Sequence, residues 1–247
     1  MNTETILLAL SFLFIALVYA AVGQAGASGY IAAMGIAGFA PLAMKTTALA
    51  LNLLVAGIST ALFLKAGWLS WRAVWPFALL GFPFSLLGGA VQLPEAIYFP
   101  VVGLVLILSA AQMARSAFRV ASPEDKAPVR PPFVAALLTG AIIGFVSGTT
   151  GTGGGVFLAP VILAMNWGSA RQTAATTAVY NLLNSGAALL GAYAAWDQIP
   201  AALPLWLVAV AAGGAVGAYL GSRYLSGRWL RGILAILLLA SGVKMIW

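Results

Sequence analysis

The stretch "TTGTGGGVFLAP", Thr149 to Pro160, sets four glycines into five positions between two strongly apolar runs. Glycine inside a helix costs about 1 kcal/mol relative to alanine, so the chain leaves the helix here. Its surroundings make the break unusual. Of 247 residues, 62% are hydrophobic and only 7% are charged, where a soluble domain carries about 25% charged residues. Apolar runs of roughly 20 residues recur along the chain, the length a helix needs to cross a hydrocarbon core of about 30 Å. The runs are continuous, without the alternation of a barrel strand, and this favours helices. The fold class read from the sequence is an all-α polytopic membrane protein.

Composition also excludes functions. The chain has no cysteine and no histidine, which removes disulfides, thiol chemistry and the common nitrogen and sulfur metal sites. No cofactor and no metal is expected. The formal charge of +7 comes from 12 basic residues scattered between apolar runs, a pattern that orients a membrane protein and does not form a nucleic-acid surface. The expected surroundings are a lipid bilayer and a small anionic substrate, with no nucleic-acid partner; the sequence carries no signal of oligomeric state. The first apolar run follows Met1-Asn2-Thr3-Glu4 without a basic leader, and is read as a first span.

Ten apolar segments are expected, near 5–22, 29–40, 47–64, 73–91, 97–115, 133–147, 154–165, 174–192, 201–220 and 230–246. The polar stretch 119–132, "RVASPEDKAPVRPP", separates a first repeat (1–118) from a second (133–247). The halves resemble each other: Gly26-Ala27-Ser28-Gly29 stands where Gly151-Thr152-Gly153-Gly154 stands, "NLLVAG" from Asn52 matches "NLLNSG" from Asn181, and Gly81 and Gly88 correspond to Gly214 and Gly221. If the short segments 29–40 and 154–165 each cross, the repeats are inverted. Lys65, Arg72, Arg115, Arg119, Lys126, Arg130, Arg171, Arg223, Arg228 and Arg231 then share the cytoplasmic side, with only Lys45 and Lys244 outside. If both segments are re-entrant and the repeats parallel, four of those arginines move outside. The positive-inside rule favours inversion. Trp68, Trp71, Trp75, Trp196, Trp206, Trp229 and Trp247 lie mostly near segment ends, as interfacial anchors do.

The glycine break now has a reading. Short, glycine-interrupted segments in corresponding places of two halves point to a transporter's midplane site. Irregular backbone is tolerated there only against protein or a watery cavity, and a helix start presents N–H groups and a positive dipole end to an anion. The candidate substrate-binding residues are Gln24, Ser28, Gly29, Thr46, Thr47 and Asn52 in the first half. In the second they are Gly151, Thr152, Gly153, Gly154, Gly155, Thr176, Thr177 and Asn181. The bland alternative makes the glycines a packing seam and the hydroxyls and amides interhelical glue. Lys45, a cation on the outer side, is read either as a snorkelling lysine or as an anion-attracting residue. The five acids, Glu4, Glu95, Glu124, Asp125 and Asp197, all fall in termini or loops, so no intramembrane carboxylate is available for proton coupling. An exported anion needs none: about 100 mV, inside negative, contributes roughly 2.3 kcal/mol per charge.

At these residues the chain resembles the sulfite exporter TauE/SafE family. The likeness lies in two copies of a glycine-rich stretch, a short apolar segment, a turn, and a threonine pair opening a longer helix: "GQAGASGYIAAMGI" (Gly23 to Ile36) with "AMKTT" (Ala43 to Thr47), and "GTGGGVFLAPVI" (Gly151 to Ile162) with "AATT" (Ala174 to Thr177). The first copy departs from the pattern at Gln24, Ala25, Ala27, Ser28 and Lys45. The resemblance implies a multi-pass exporter of sulfite, sulfonates or related anions in a bacterial cytoplasmic membrane. A transporter of another small anion or metabolite is the alternative. An intramembrane enzyme lacks a nucleophile–base pair, so no enzyme activity is expected.

Overall fold

The computed structural model describes residues 3–118 and 128–223, together with positions 235, 236, 239, 242, 243 and 246. Arg119, Glu124, Asp125, Lys126, Arg228, Trp229, Arg231, Lys244 and Trp247 lie outside the described residues, as do most of the tenth segment and most of the linker.

The first half consists of α1 (Thr3–Ala21), α2 (Ala27–Ile36), α3 (Pro41–Lys65), α4 (Trp71–Ala90) and α5 (Glu95–Phe118). The second contains α6 (Phe133–Thr150), α7 (Gly155–Ala164), α8 (Ala170–Gly191), a short 3-10 turn (Tyr193–Gln198) and α9 (Leu203–Arg223). Among the described residues, six helices are long and apolar enough to cross a membrane: α1, α3, α4, α5, α6 and α9. Helix α8 has 22 residues but carries a polar face of threonines, asparagines and a serine. Helices α2 and α7 have 10 residues each, about 15 Å at 1.5 Å per residue.

Two helices begin earlier than hydropathy alone suggests. Pro41 occupies the first turn of α3, where its missing N–H costs nothing and its φ suits the helix. Ser169 opens α8 with a capping box, its hydroxyl accepting from the Gln172 N–H while the Gln172 side chain accepts from the Ser169 N–H.

Close packing fixes the helix directions. Gly140, Gly144 and Gly148 on α6 lie against the backbone of Phe77, Gly81 and Ser85 on α4, so these two helices run parallel. Gly213, Gly217 and Gly221 on α9 lie in the same way against Leu13, Leu17 and Ala21 of α1, again parallel. In both seams the missing Cβ lets two backbones meet, as small residues do in membrane bundles. Gly81 itself faces the Tyr180 ring, and Gly214 faces Val55. Helices α4 and α8 are parallel as well, with Gly89 on Ala188 and the Ser85 hydroxyl donating to the Asn184 carbonyl at 2.9 Å. Helices α3 and α8 cross antiparallel: the Asn52 amide donates to Ser185 Oγ at 2.7 Å while Gly57 faces Leu182.

Each short helix returns to the end of the bundle from which the preceding long helix set out. Phe39, just beyond α2, stacks edge-on with Trp206, whose Nε1–H donates to the Thr5 carbonyl at the start of α1. Trp167, just beyond α7, packs against Phe77 and shares a cavity wall with Phe133 at the start of α6. These directions gather Lys65, Arg72, Arg115, Arg130, Arg171 and Arg223 at one end. Glu4, Glu95, Asp197 and Lys45 lie toward the other. Trp71, Trp75 and Trp196 are exposed, as anchors should be. Trp206 departs from that expectation: it is buried against Phe12 and Phe39, because its indole N–H finds a backbone carbonyl inside the bundle.

Candidate functional site: two capped helix breaks at mid-bundle

The two breaks are built alike. Gly26 precedes α2 with φ +98° and Gly154 precedes α7 with φ +82°, a left-handed conformation that side chains resist. Neither residue caps its helix with a side chain. The caps come from the long helices. Asn52 Oδ1 accepts the Ala27 N–H at 2.9 Å, and Asn181 Oδ1 accepts the Gly155 N–H at 2.7 Å. Both asparagines stand eleven residues into their helix, near the middle of α3 and α8. A helix start leaves its first amides without intrahelical partners; one of them at each break is held by an amide side chain that is itself buried.

The breaks meet each other. The second loop passes between the two asparagines: a Cβ on Gly153 (φ +80°) would strike the Asn52 amide nitrogen and come within 3.3 Å of Asn181 Oδ1. A Cβ on Gly155 would collide with the Asn181 amide. Gly154 is surrounded by Ser147 Oγ, the Tyr180 ring and Asn184 Nδ2, at 3.0, 3.0 and 3.3 Å from an added Cβ. Three of the consecutive glycines therefore make room for polar side chains, not for another helix.

Other expected residues are placed differently. Thr177 reaches across the halves and donates to the Gly23 carbonyl at 3.0 Å, within reach also of Thr173 O. Thr46 bonds back to Leu42 O at 2.8 Å in its own helix. Ser28 Oγ pairs with the Tyr19 hydroxyl at 3.1 Å, and Gly29 packs against Ile15 and Tyr19 of α1. Thr152 pairs with Thr150 at 3.0 Å, whose carbonyl accepts from the Tyr98 hydroxyl. Gly151 presses on the Lys45 backbone. Gln24 Oε1 and Thr47 Oγ1 are buried without a partner. Thr176 lines an open cavity.

Lys45 is buried, and its ammonium lies on the carbonyls of Gly88, Gly89 and Val91 at 3.2, 2.8 and 2.8 Å. An ammonium has three donors, and here all three close the C-terminal end of α4, where unpaired carbonyls and the negative dipole end favour a cation. That geometry ties α3 to α4 and leaves no donor directed at an anion.

Sequence reasoning passed over Asn184, Ser185, Ser147 and Ser85. Asn184 is fully buried, and its amide makes no well-formed hydrogen bond, with the Tyr180 hydroxyl as its polar neighbour. Asn184 and Ser185 follow Asn181 by three and four residues, a polar face at helical spacing that was available as a signal. The threonine pairs also change register: counted from the asparagines, Thr47 corresponds to Thr176, and Lys45 to Ala174.

Among the described residues no group of three His, Cys, Asp or Glu side chains is placed to hold a metal. The profile of the family described as "Sulfite exporter TauE/SafE" matches residues 8–245. Over its full length the chain is 66% identical to all 247 residues of "Probable membrane transporter protein y4hK" from Sinorhizobium fredii. It is 29% identical over 123 residues, 48% of this chain and 44% of the relative, to "Probable membrane transporter protein MJ0441" from Methanocaldococcus jannaschii. No solved structure matches. A nearly complete family match and a full-length transporter relative join a bundle with two glycine-broken helices at its centre, and the chain belongs to the sulfite exporter TauE/SafE family of membrane transporters.

Proposed function

We propose that the chain exports small sulfur oxyanions or organosulfonates across a bacterial cytoplasmic membrane, driven by the substrate gradient and the membrane potential. The observation that carries this reading is the meeting of two helix N-termini at the middle of the bundle. Both are uncovered by glycine, and both are set in register by a buried asparagine. A helix start concentrates roughly half a positive charge and free N–H donors, and a low-dielectric surround strengthens both toward an anion. In this proposal Ser28, Gly29 and Val156 offer backbone N–H groups, and the buried Asn184 amide offers a side-chain donor. The Gly153–Gly155 backbone packs against Asn52, Asn181 and Asn184 and brings both helix starts to the same polar side chains.

We take the halves, 1–118 and 133–247, to be inverted repeats about an axis between α3 and α8. The antiparallel crossing of those two counterparts supports this, as does the reciprocal pairing of α1 with α9 and α4 with α6. The arginine-rich end faces the cytoplasm under the positive-inside rule.

The test is efflux of labelled sulfite and of a small alkylsulfonate from proteoliposomes at clamped potential, with Gly154→Ala reconstituted beside the intact chain. Potential-dependent efflux that the substitution abolishes is the expected result. Absence of flux for both compounds under every imposed potential removes the substrate assignment.

A further inference from the structure

A second feature lies apart from the central breaks. At the arginine-rich end a cavity of about 500 Å³ opens between the starts of α4, α6 and α8 and the end of α7. Its lining joins Arg72 and Arg130 with Trp68, Trp75, Trp167 and Phe133, and reaches inward to Thr173 and Thr176. The walls are fixed by aromatic pairs: Trp75 with Phe133 at 5.1 Å and Phe77 with Trp167 at 6.0 Å between ring centroids. The Arg171 guanidinium sits over the Trp68 ring at 5.0 Å. The Val129 N–H donates to the Asn166 carbonyl at 2.8 Å and holds the Arg130 segment against the turn after α7. No carboxylate appears among the described lining residues.

From this constellation we infer that the cavity is a vestibule that binds an organic anion, one anionic head on Arg72 and Arg130 and a flat apolar body between the indoles, before it moves to the centre. The inference rests on the anion-transport reading above and adds a site to it. Size argues for the body: water occupies about 30 Å³, so a bare four-atom oxyanion fills a small part of this space, whereas ligand pockets run to roughly 300–1,000 Å³. Chemistry argues for the head. Guanidinium groups present paired donors that match a sulfonate or carboxylate, and two of them share a wall without an ion-pair partner among the described residues. The inward end supplies a path, since Thr176 stands five residues before Asn181 on the same helix.

The experiment uses the full chain in nanodiscs of zwitterionic lipid, with 4-nitrobenzenesulfonate as the probe and tryptophan fluorescence as the readout. Saturable quenching is expected, with neutral 4-nitrobenzyl alcohol giving only a linear, unsaturating loss. The midpoint should rise at least tenfold in R72Q/R130Q and by a smaller factor in R72K/R130K, which retains the charge and so the membrane orientation. Trp68→Phe should lower the amplitude. Quenching that does not saturate, or a midpoint unmoved in both arginine pairs, overturns the vestibule. A lipid headgroup shares the anionic chemistry, so the titration is repeated with phosphatidylglycerol. Competition by that lipid, with its loss from R72Q/R130Q in native mass spectrometry, overturns the soluble ligand in favour of lipid. Efflux of sulfite and of the alkylsulfonate is measured in parallel on the same purified proteins reconstituted into proteoliposomes. Saturable, arginine-dependent binding without flux keeps the vestibule and removes the transport reading, while flux without binding does the reverse.

Discussion

At the first break the Ala27 N–H reaches Asn52 at 2.9 Å, and at the second the Gly155 N–H reaches Asn181 at 2.7 Å. The two halves share this device and differ in nearly everything around it. Asn52 also donates to Ser185 in the other half, whereas the hydrogen bond shown for Asn181 stays within its own half. Asn184 and Ser185 lie beside the second asparagine; the matching positions beside the first are Val55 and Ala56. Lys45 ties its helix to the end of α4, and its counterpart Ala174 has no side chain with which to do so. Thr47 is buried without a partner, and its counterpart Thr176, also buried, lines the inner end of a cavity. The two breaks share the asparagine cap, and the side chains around each cap differ: polar groups and a cavity lie beside the second, and a lysine tie lies beside the first.

The largest effect is expected where the copies meet. Gly153→Ala brings a Cβ onto the Asn52 amide at a left-handed φ, a strain of about 1–2 kcal/mol before any collision. Efflux should fall at least a hundredfold. Gly38→Ala, with a similar φ of +80° but open space around it, should lose only melting temperature. Equal effects of the two in flux and thermal unfolding would mean that backbone strain, not the asparagine contact, explains the glycine.

Next come the caps. Asn181→Leu leaves a buried N–H without a partner, a cost of about 1–3 kcal/mol. Asn52→Leu removes the cap on the Ala27 N–H and the bond to Ser185 as well, so it should be the more damaging of the two in both unfolding temperature and transport rate. The reverse order would break the claim that Asn52 is the link between halves.

Lys45→Met separates the two readings of the lysine. Released from Gly88, Gly89 and Val91, the end of α4 loses its tie, and the unfolding temperature and maximal rate should drop while the half-saturating substrate concentration stays unchanged. A raised half-saturation with an intact maximal rate would restore the anion-attracting reading.

The smallest effect belongs to the threonine pair. Thr47→Val removes a buried hydroxyl that has no partner and should be neutral or mildly stabilising. Thr176→Val should weaken half-saturation a fewfold with little change in stability. Concentration series of both variants, run side by side, check the difference.

Much of this was legible in the residues. The apolar runs required a helical bundle, since backbone polar groups in lipid must be satisfied within the segment. Glycines at corresponding places located both breaks, because a φ near +80° or +100° is open chiefly to glycine. Asn52 and Asn181 were found as a pair of candidate substrate contacts; that each amide oxygen also serves a helix start depends on the depth at which α3 and α8 cross. Asn184 lay on a polar face legible in α8, but its being left without a well-formed hydrogen bond depends on the helices packed around it. The charge of Lys45 was visible in sequence, while its three carbonyl partners come from a helix more than forty residues away. The sequence by itself determined a helical membrane bundle with two glycine-broken helices, because hydropathy and backbone freedom are local properties. Only the tertiary structure decided which polar groups are satisfied, which carbonyls hold Lys45, and where arginine and tryptophan converge, because each depends on helices that the chain brings together from distant positions.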